Sequence, residues 1–293
     1  MTLRLDGRVA LVTGAGRGLG RVFARALADR GATVICLGRG SDGGGREMEL
    51  SEEIVTAGGR AEPETADITS DVAVREMAAR VKARHGRLDI IVNNAGMTID
   101  RSFAKIDMED FDRVLAGNLT GAARVTAAFW PGMLDHGYGR VVFVTSSAGL
   151  AGNFGQAAYS AAKMGLVGLM QTIGMEGARK GVHVNCLAPV GLTDMNAAVL
   201  PEALKSRLSA EHLVPGVVYL ASEAAPNRVV LMGGAGSFEC LDLRFTRGAA
   251  AATPEELAQR FDRIADGTGA VRPDSANTQL ELELANTDHL AEG

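Results

Sequence analysis

Short apolar runs recur along the chain: "RVALVTG" (8–14), "ATVICLG" (32–38), "LDIIVNNAG" (88–96), "GRVVFVTSSAG" (139–149) and "GVHVNCLAP" (181–189). Each is too short for a helix, rich in β-branched residues and free of polar alternation, so each reads as a strand buried on both faces. Between them lie "LGRVFARALADRG", "SDVAVREMAARVKARHG", "MEDFDRVLAGNLTGAARVTAAFWPGML" and "QAAYSAAKMGLVGLMQTIGMEGARKG", with apolar residues at helical spacing and glycine at most of their ends. Strand and helix in alternation predict right-handed βαβ units, hence an α/β fold with a doubly wound parallel sheet of about seven strands and helices on both faces.

A sheet of this kind binds ligands beyond the carboxyl ends of its strands, which places the chemistry just after residues 13, 37, 92, 145 and 188. Residues 190–225 break the rhythm, with short helices expected at 201–209 and 211–224, and have the placement of a substrate-covering loop. After residue 248 the composition changes to "AAAATPEELAQRFDRIADG". Thr253 and Pro254 can open a helix there, with Glu255 and Glu256 in its first turn. The expected division is a main domain over 1–248 and a helical extension over 249–293, its last ~20 residues polar, aperiodic and mobile.

Composition narrows the function. The 293 residues carry a net charge of −5 with Lys and Arg dispersed, so nothing resembles the basic stripe that neutralises a nucleic-acid backbone. The three cysteines, Cys36, Cys186 and Cys240, are far apart in apolar surroundings and read as buried thiols, without disulfide or metal site. No secretory leader or membrane span is read, and a cytoplasmic location is expected.

"VTGAGRGLGR" (12–21) lies between the first strand and the first helix, where exposed N–H groups and the helix dipole attract phosphate. G-x-G-x-x-G spacing fails because Leu19 takes the third glycine position; T-G-x-x-x-G-x-G fits, with Thr13, Gly14, Gly18 and Gly20. A tight strand–helix turn alone can also show such glycines. In Rossmann-like folds an acidic residue ending the second strand grips the adenosine ribose, but Gly38 stands there and Arg39 follows. Arg39 and Arg17 suit a 2′-phosphate, favouring NADP(H) over NAD(H); the competing reading leaves both arginines solvated and lets Asp42 reach the ribose.

Tyr159 and Lys163 lie at i and i+4, on one helix face, and Lys163 is the only charged residue between 157 and 175. An ammonium in so apolar a helix needs a partner or a ligand, and its charge would lower the phenol's pKa toward the range of a general acid/base. Taken alone, the pair also fits an ordinary surface contact. Ser146, thirteen residues upstream, ends a strand from which the chain can return toward the phenol, and Ser147 competes with it.

The segment "SSAGLAGNFGQAAYSAAK", with "TGAGRGLG", "NNAG" (93–96) and "GNL" (117–119) in that family's order, resembles the short-chain dehydrogenase/reductase family over residues 6–230. The resemblance implies hydride transfer between a nicotinamide cofactor and a ketone or secondary alcohol. It makes Tyr159 the proton donor and acceptor, Ser146 the holder of the substrate oxygen, Lys163 the binder of the nicotinamide ribose and Asn118 the support of a proton relay; Asn118 could equally be structural, in a mid-helix irregularity. To the glycine-loop site of Thr13, Gly14, Arg17, Gly18, Leu19 and Gly20, and to Arg39, it adds Asp67 at the adenine, Asn94, Ala95 and Gly96 along the border, and Pro189 and Thr193 at the nicotinamide. The family's P-G after the sixth strand is here Pro189-Val190-Gly191. "DRSFAKI", "GNFGQAAYSAAK" and "GGAGSFECLDLRFTRG" resemble (3R)-hydroxyacyl-CoA dehydrogenase units of peroxisomal multifunctional enzymes of type 2, implying a 3-oxoacyl or 3-hydroxyacyl thioester substrate. At Gly38 and Arg39 the chain departs from that subgroup, which would have an acidic residue there for NAD(H). A carbonyl or steroid alcohol dehydrogenase, and a silent nucleotide-binding scaffold, are the alternatives. The apolar face "MGLVGLM" suggests a homodimer or homotetramer.

Overall fold

The computed structural model describes residues 2–40, 45–191, 205 and 207–287. Two compact units emerge, Met1–Cys240 and Leu241–Gly293.

The first unit alternates as the pattern predicts: β1 (Val9–Thr13), α1 (Gly18–Asp29), β2 (Thr33–Gly38), α2 (Arg46–Thr56), β3 (Arg60–Thr65), α3 (Asp71–His85), β4 (Ile90–Asn93) and α4 (Met108–Leu115). A π-helical segment (Ala116–Thr120) runs into α5 (Gly121–His136), then β5 (Gly139–Val144), α6 (Ser147–Ala151), α7 (Ala157–Ala178) and β6 (Val182–Val190). A 3₁₀ turn (Ala210–Leu213), α8 (Val214–Ala221), β7 (Val230–Gly234) and β8 (Ser237–Leu241) follow. The turn and α8 agree with the helix expected at 211–224, whereas most of the one expected at 201–209 lies outside the described residues.

The sheet has eight strands in the order β3-β2-β1-β4-β5-β6-β7-β8, parallel from β3 through β7. Chain order reverses between β1 and β4, which opens the crevice where such folds bind ligands. All residues of β1, β4 and β5 are buried, Arg140 of β5 by donating to the carbonyls of Gly139, Gly181 and Ser222. Each fully buried Val, Leu or Ile contributes about 1.5–3 kcal/mol.

About seven strands were expected, and β3 shows why hydropathy undercounts. "RAEPET" holds no large apolar residue and carries Pro63, which an edge strand tolerates. Its buried Glu64 is held by Arg80 and Arg84 of α3, at 2.7 and 2.6 Å. The backbone ladder to β2 and those ion pairs, rather than apolar alternation, fasten the edge. Helix α3 itself starts on Ser70, whose side chain accepts from Ala73 N–H, and stops at left-handed Gly86 (φ 70°).

The second unit holds α9 (Pro254–Gln259), α10 (Phe261–Ala265) and α11 (Asn277–Thr287). Thr253 caps α9 by accepting from Glu256 N–H at 3.1 Å. Residues 277–287 lie in the polar, aperiodic stretch expected at the end of the chain, yet they are helical. "NTQLELELANT" forms a helix there, with good helix formers in its interior and an i,i+4 bond from Gln279 to Glu283 at 2.7 Å. Cys36 and Cys186 are buried as expected, but Cys240, in strand β8, is exposed.

Candidate active site

Two loops meet at the reversal point. The buried hydroxyl of Thr13, at the end of β1, accepts from Asn94 N–H at 3.0 Å and Ala95 N–H at 2.9 Å, just beyond β4. Asn94 Nδ2 donates back to the Thr13 carbonyl at 3.0 Å. Asn94 and Ala95 thus clamp the glycine loop to the end of β4. Gly14 (φ 64°) and Gly18 (φ 52°) occupy left-handed backbone, and a Cβ on Gly20 would stand 2.6 Å from Asn94 Nδ2 and collide with the Gly14 carbonyl.

Helix α1 begins at Gly18 with no side-chain cap and no acidic residue in its first turn. Its leading N–H groups and dipole are therefore free to hold an anion. This fits a dinucleotide's diphosphate. Arg17 and Arg39 are exposed at the rim. Asp67 accepts from Thr69 N–H and Oγ1, both at 2.8 Å; these bonds, with the charge of Arg39, hold its carboxyl below the usual range.

The reacting end is built by β5, α6, α7 and the π segment. Ser146 caps α6 by accepting from Ala148 N–H at 3.2 Å, and Gly149 lets α6 lie on α7, since a Cβ there would come within 2.7 Å of Lys163 Cβ. Lys163 is buried, donates to the Val144 carbonyl at 2.7 Å, and its ammonium lies 5.5 Å from the Tyr159 ring centre. Thr145 Oγ1 donates to the Lys163 carbonyl at 2.7 Å, anchoring the helix to the strand end. Burial lowers the Lys163 pKa to about 8.

Burial pushes the Tyr159 phenol above 10, opposed by its hydrogen bond with Ser146. The phenol therefore moves opposite to the lysine-driven depression expected from the sequence, and the Lys163 ammonium lies over the ring and binds main chain. Of the two candidate serines, Ser146 meets the phenol and Ser147 is exposed.

Asn118 sits in the π segment. Its Nδ2 donates to Val114 O at 2.9 Å, one turn back, and to Met97 O at 2.8 Å, while its buried Oδ1 has no partner. Taking the Val114 carbonyl competes with the helical ladder at this irregularity. Gly96 has both groups beside it: a Cβ there would strike Asn118 Oδ1 and come within 3.5 Å of Lys163 Nζ. An unsatisfied buried acceptor beside a buried ammonium is a place for a bridging water.

Strand β6 runs through Pro189 to Val190, and Gly191 then makes room for Leu19 and Leu213, which would lie 3.6 and 3.1 Å from a Cβ at that position. The residue between Pro189 and the glycine is thereby absorbed as strand. Thr193 and Asp42 lie outside the described residues.

The sequence model of the family described as short chain dehydrogenase matches residues 8–203. The chain belongs to the short-chain dehydrogenase family. These oxidoreductases use nicotinamide cofactors, and the glycine loop and free α1 terminus fit one. The peroxisomal multifunctional enzyme type 2 of Mus musculus is 39% identical over 284 residues, covering 92% of this chain but 38% of the relative. Acetoacetyl-CoA reductase of Rhizobium meliloti is 38% identical over 230 residues, 74% of this chain and 92% of the relative. The solved structure of full-length peroxisomal multifunctional enzyme type 2 from Drosophila melanogaster superposes with a TM-score of 0.83 at 32% identity, over 99% of this chain and 51% of that one. The chain thus spans well under half of the mouse relative and about half of the fly structure.

Within this short-chain dehydrogenase, the sequence pattern did not single out Thr145 and the Val144 carbonyl as the anchors of α7. The signal for Thr145 was its place at the strand end before Ser146; a main-chain acceptor leaves no signal. Among the described residues no helix is long and apolar enough to cross a membrane.

Proposed function

We propose that the chain interconverts 3-oxoacyl and 3-hydroxyacyl thioesters with a nicotinamide dinucleotide, NADP(H) being favoured by Arg17 and Arg39. The buried Lys163, tied to the Val144 carbonyl at the carboxyl end of β5 with its ammonium 5.5 Å from the Tyr159 ring centre, carries this reading. The names of the mouse and Rhizobium relatives support the substrate class.

A bound nicotinamide would supply the hydride that reduces the carbonyl carbon, and accept it in the reverse oxidation. Tyr159 gives its phenol proton to the carbonyl oxygen as charge builds there, and Ser146 donates a hydrogen bond to the same oxygen. Lys163 would hold the nicotinamide ribose. Asn118 Oδ1 accepts from a water that returns a proton toward Lys163. Thr13, Gly14, Gly18, Leu19 and Gly20 would hold the diphosphate end, Asp67 the adenine, Asn94, Ala95 and Gly96 the border, and Pro189 and Thr193 the nicotinamide side. Met164 and Met175, 40% and 45% exposed on α7, support a homodimer or homotetramer through that helix.

The decisive assay compares acetoacetyl-CoA and longer 3-oxoacyl-CoAs with simple and steroid ketones. Preferential thioester turnover is expected; turnover confined to the other ketones would overturn the substrate class.

A further inference from the structure

Strand β2 ends at Gly38, where this fold receives the adenosine ribose. The space a side chain would take there is already filled. A Cβ on Gly38 would stand 2.5 Å from Glu47 Cδ and would overlap Oε2, so the Glu47 carboxyl group lies against the bare backbone. Glu47 is the second residue of α2, is 5% exposed, and its carboxyl group has no hydrogen bond or ion pair among the described residues. Its charge reaches Cys36, two residues back on β2; burial pushes that thiol up to about 11, with Glu47 adding to the rise.

The first turn of α2 also lies against the glycine loop. A Cβ on Gly16 would meet Arg46 Cβ at 2.8 Å and Glu47 N at 3.3 Å. Glu47 therefore stands between the two segments that hold the adenosine half of a dinucleotide in such folds. The Glu47 oxygens border solvent and take no donor from the described residues, so a ribose diol can replace water there with two O–H donors without adding negative charge. A 2′-phosphate in the same place brings like charge and no such donors.

We propose that Glu47 is the specificity-determining carboxylate of the adenosine-ribose subsite, delivered from α2 into the space left by Gly38, where it accepts from the ribose hydroxyls and opposes a 2′-phosphate. The inference rests on the dinucleotide reading above. Glu47 acts against the exposed Arg17 and Arg39, so the balance of the three sets the ratio of NADPH to NADH affinity.

Titration calorimetry of the full chain with NADPH and with NADH, without substrate, tests this apart from catalysis. Glu47→Gln is expected to shift the affinity ratio about tenfold or more toward NADPH. Moving the carboxylate back to the strand, with Gly38→Asp and Glu47→Ala together, is expected to return the ratio to within about threefold of wild type. The double variant keeps the test decisive if Glu47→Gln does not fold. A ratio unchanged within about twofold in Glu47→Gln, or a double variant that stays strongly selective for NADPH, overturns the proposal. Wild type binding neither nucleotide would instead remove the dinucleotide reading, and this proposal with it.

Discussion

Lys163 donates its ammonium to the carbonyl oxygen of Val144, the last residue of β5, at 2.7 Å. The next residue, Thr145, donates its hydroxyl to the Lys163 carbonyl, also at 2.7 Å. Strand end and helix are thus tied at two points, and the amine is held in place before any ligand arrives. That preorganisation is what a site gains from setting functional groups on rigid elements.

The buried amine makes stability depend on pH. Its pKa of about 8 lies below the ordinary 10.5, so between these values the unfolded chain binds more protons and stability rises with pH. Below about 8 the burial penalty is present in full. Urea denaturation of wild type and Lys163→Met is expected to show wild type gaining relative to the variant as pH rises from about 8 to 10. A difference flat across that window would contradict a buried, depressed lysine.

In the proposed reaction Tyr159→Phe removes the proton that is moved and leaves the ring packing intact. Turnover is expected to fall by about 10²–10⁴-fold, with NADPH affinity in calorimetry little changed. Retained turnover would displace Tyr159 from its role. Ser146→Ala removes the hydrogen bond that favours the phenolate, so the phenol pKa moves further up from its already raised position. The rise of kcat/KM with pH in alcohol oxidation should shift to higher pH, and a shift to lower pH would sink the assignment.

Thr13→Val keeps the shape of the side chain but strips the acceptor from the N–H groups of Asn94 and Ala95. A loss of about 1–3 kcal/mol in unfolding free energy is expected, with weaker NADPH binding, and Thr13→Ser should recover both. Equal stability of the valine variant would mean that the clamp between β1 and β4 contributes little.

The sequence by itself determined what depends on local spacing. Apolar runs and helical periods set β1, β2, β4, β5 and β6 and the helices between them, because buried strands must be continuously apolar and helix faces repeat at 3.6 residues. The i,i+4 spacing put Tyr159 and Lys163 on one face, and motif order tied them to Ser146, Asn118 and the glycine loop. Only the tertiary structure decided what depends on approach between distant segments. Strand β3 is held by ion pairs to α3, which leave no hydropathy signal. The orphaned Oδ1 of Asn118 faces Gly96 only because the π segment packs on the loop after β4. At residue 38 the sequence shows a missing acid; the carboxyl group of Glu47 fills its space because the first turn of α2 packs over the end of β2. A glycine says that space is left open, and packing alone says which side chain enters it.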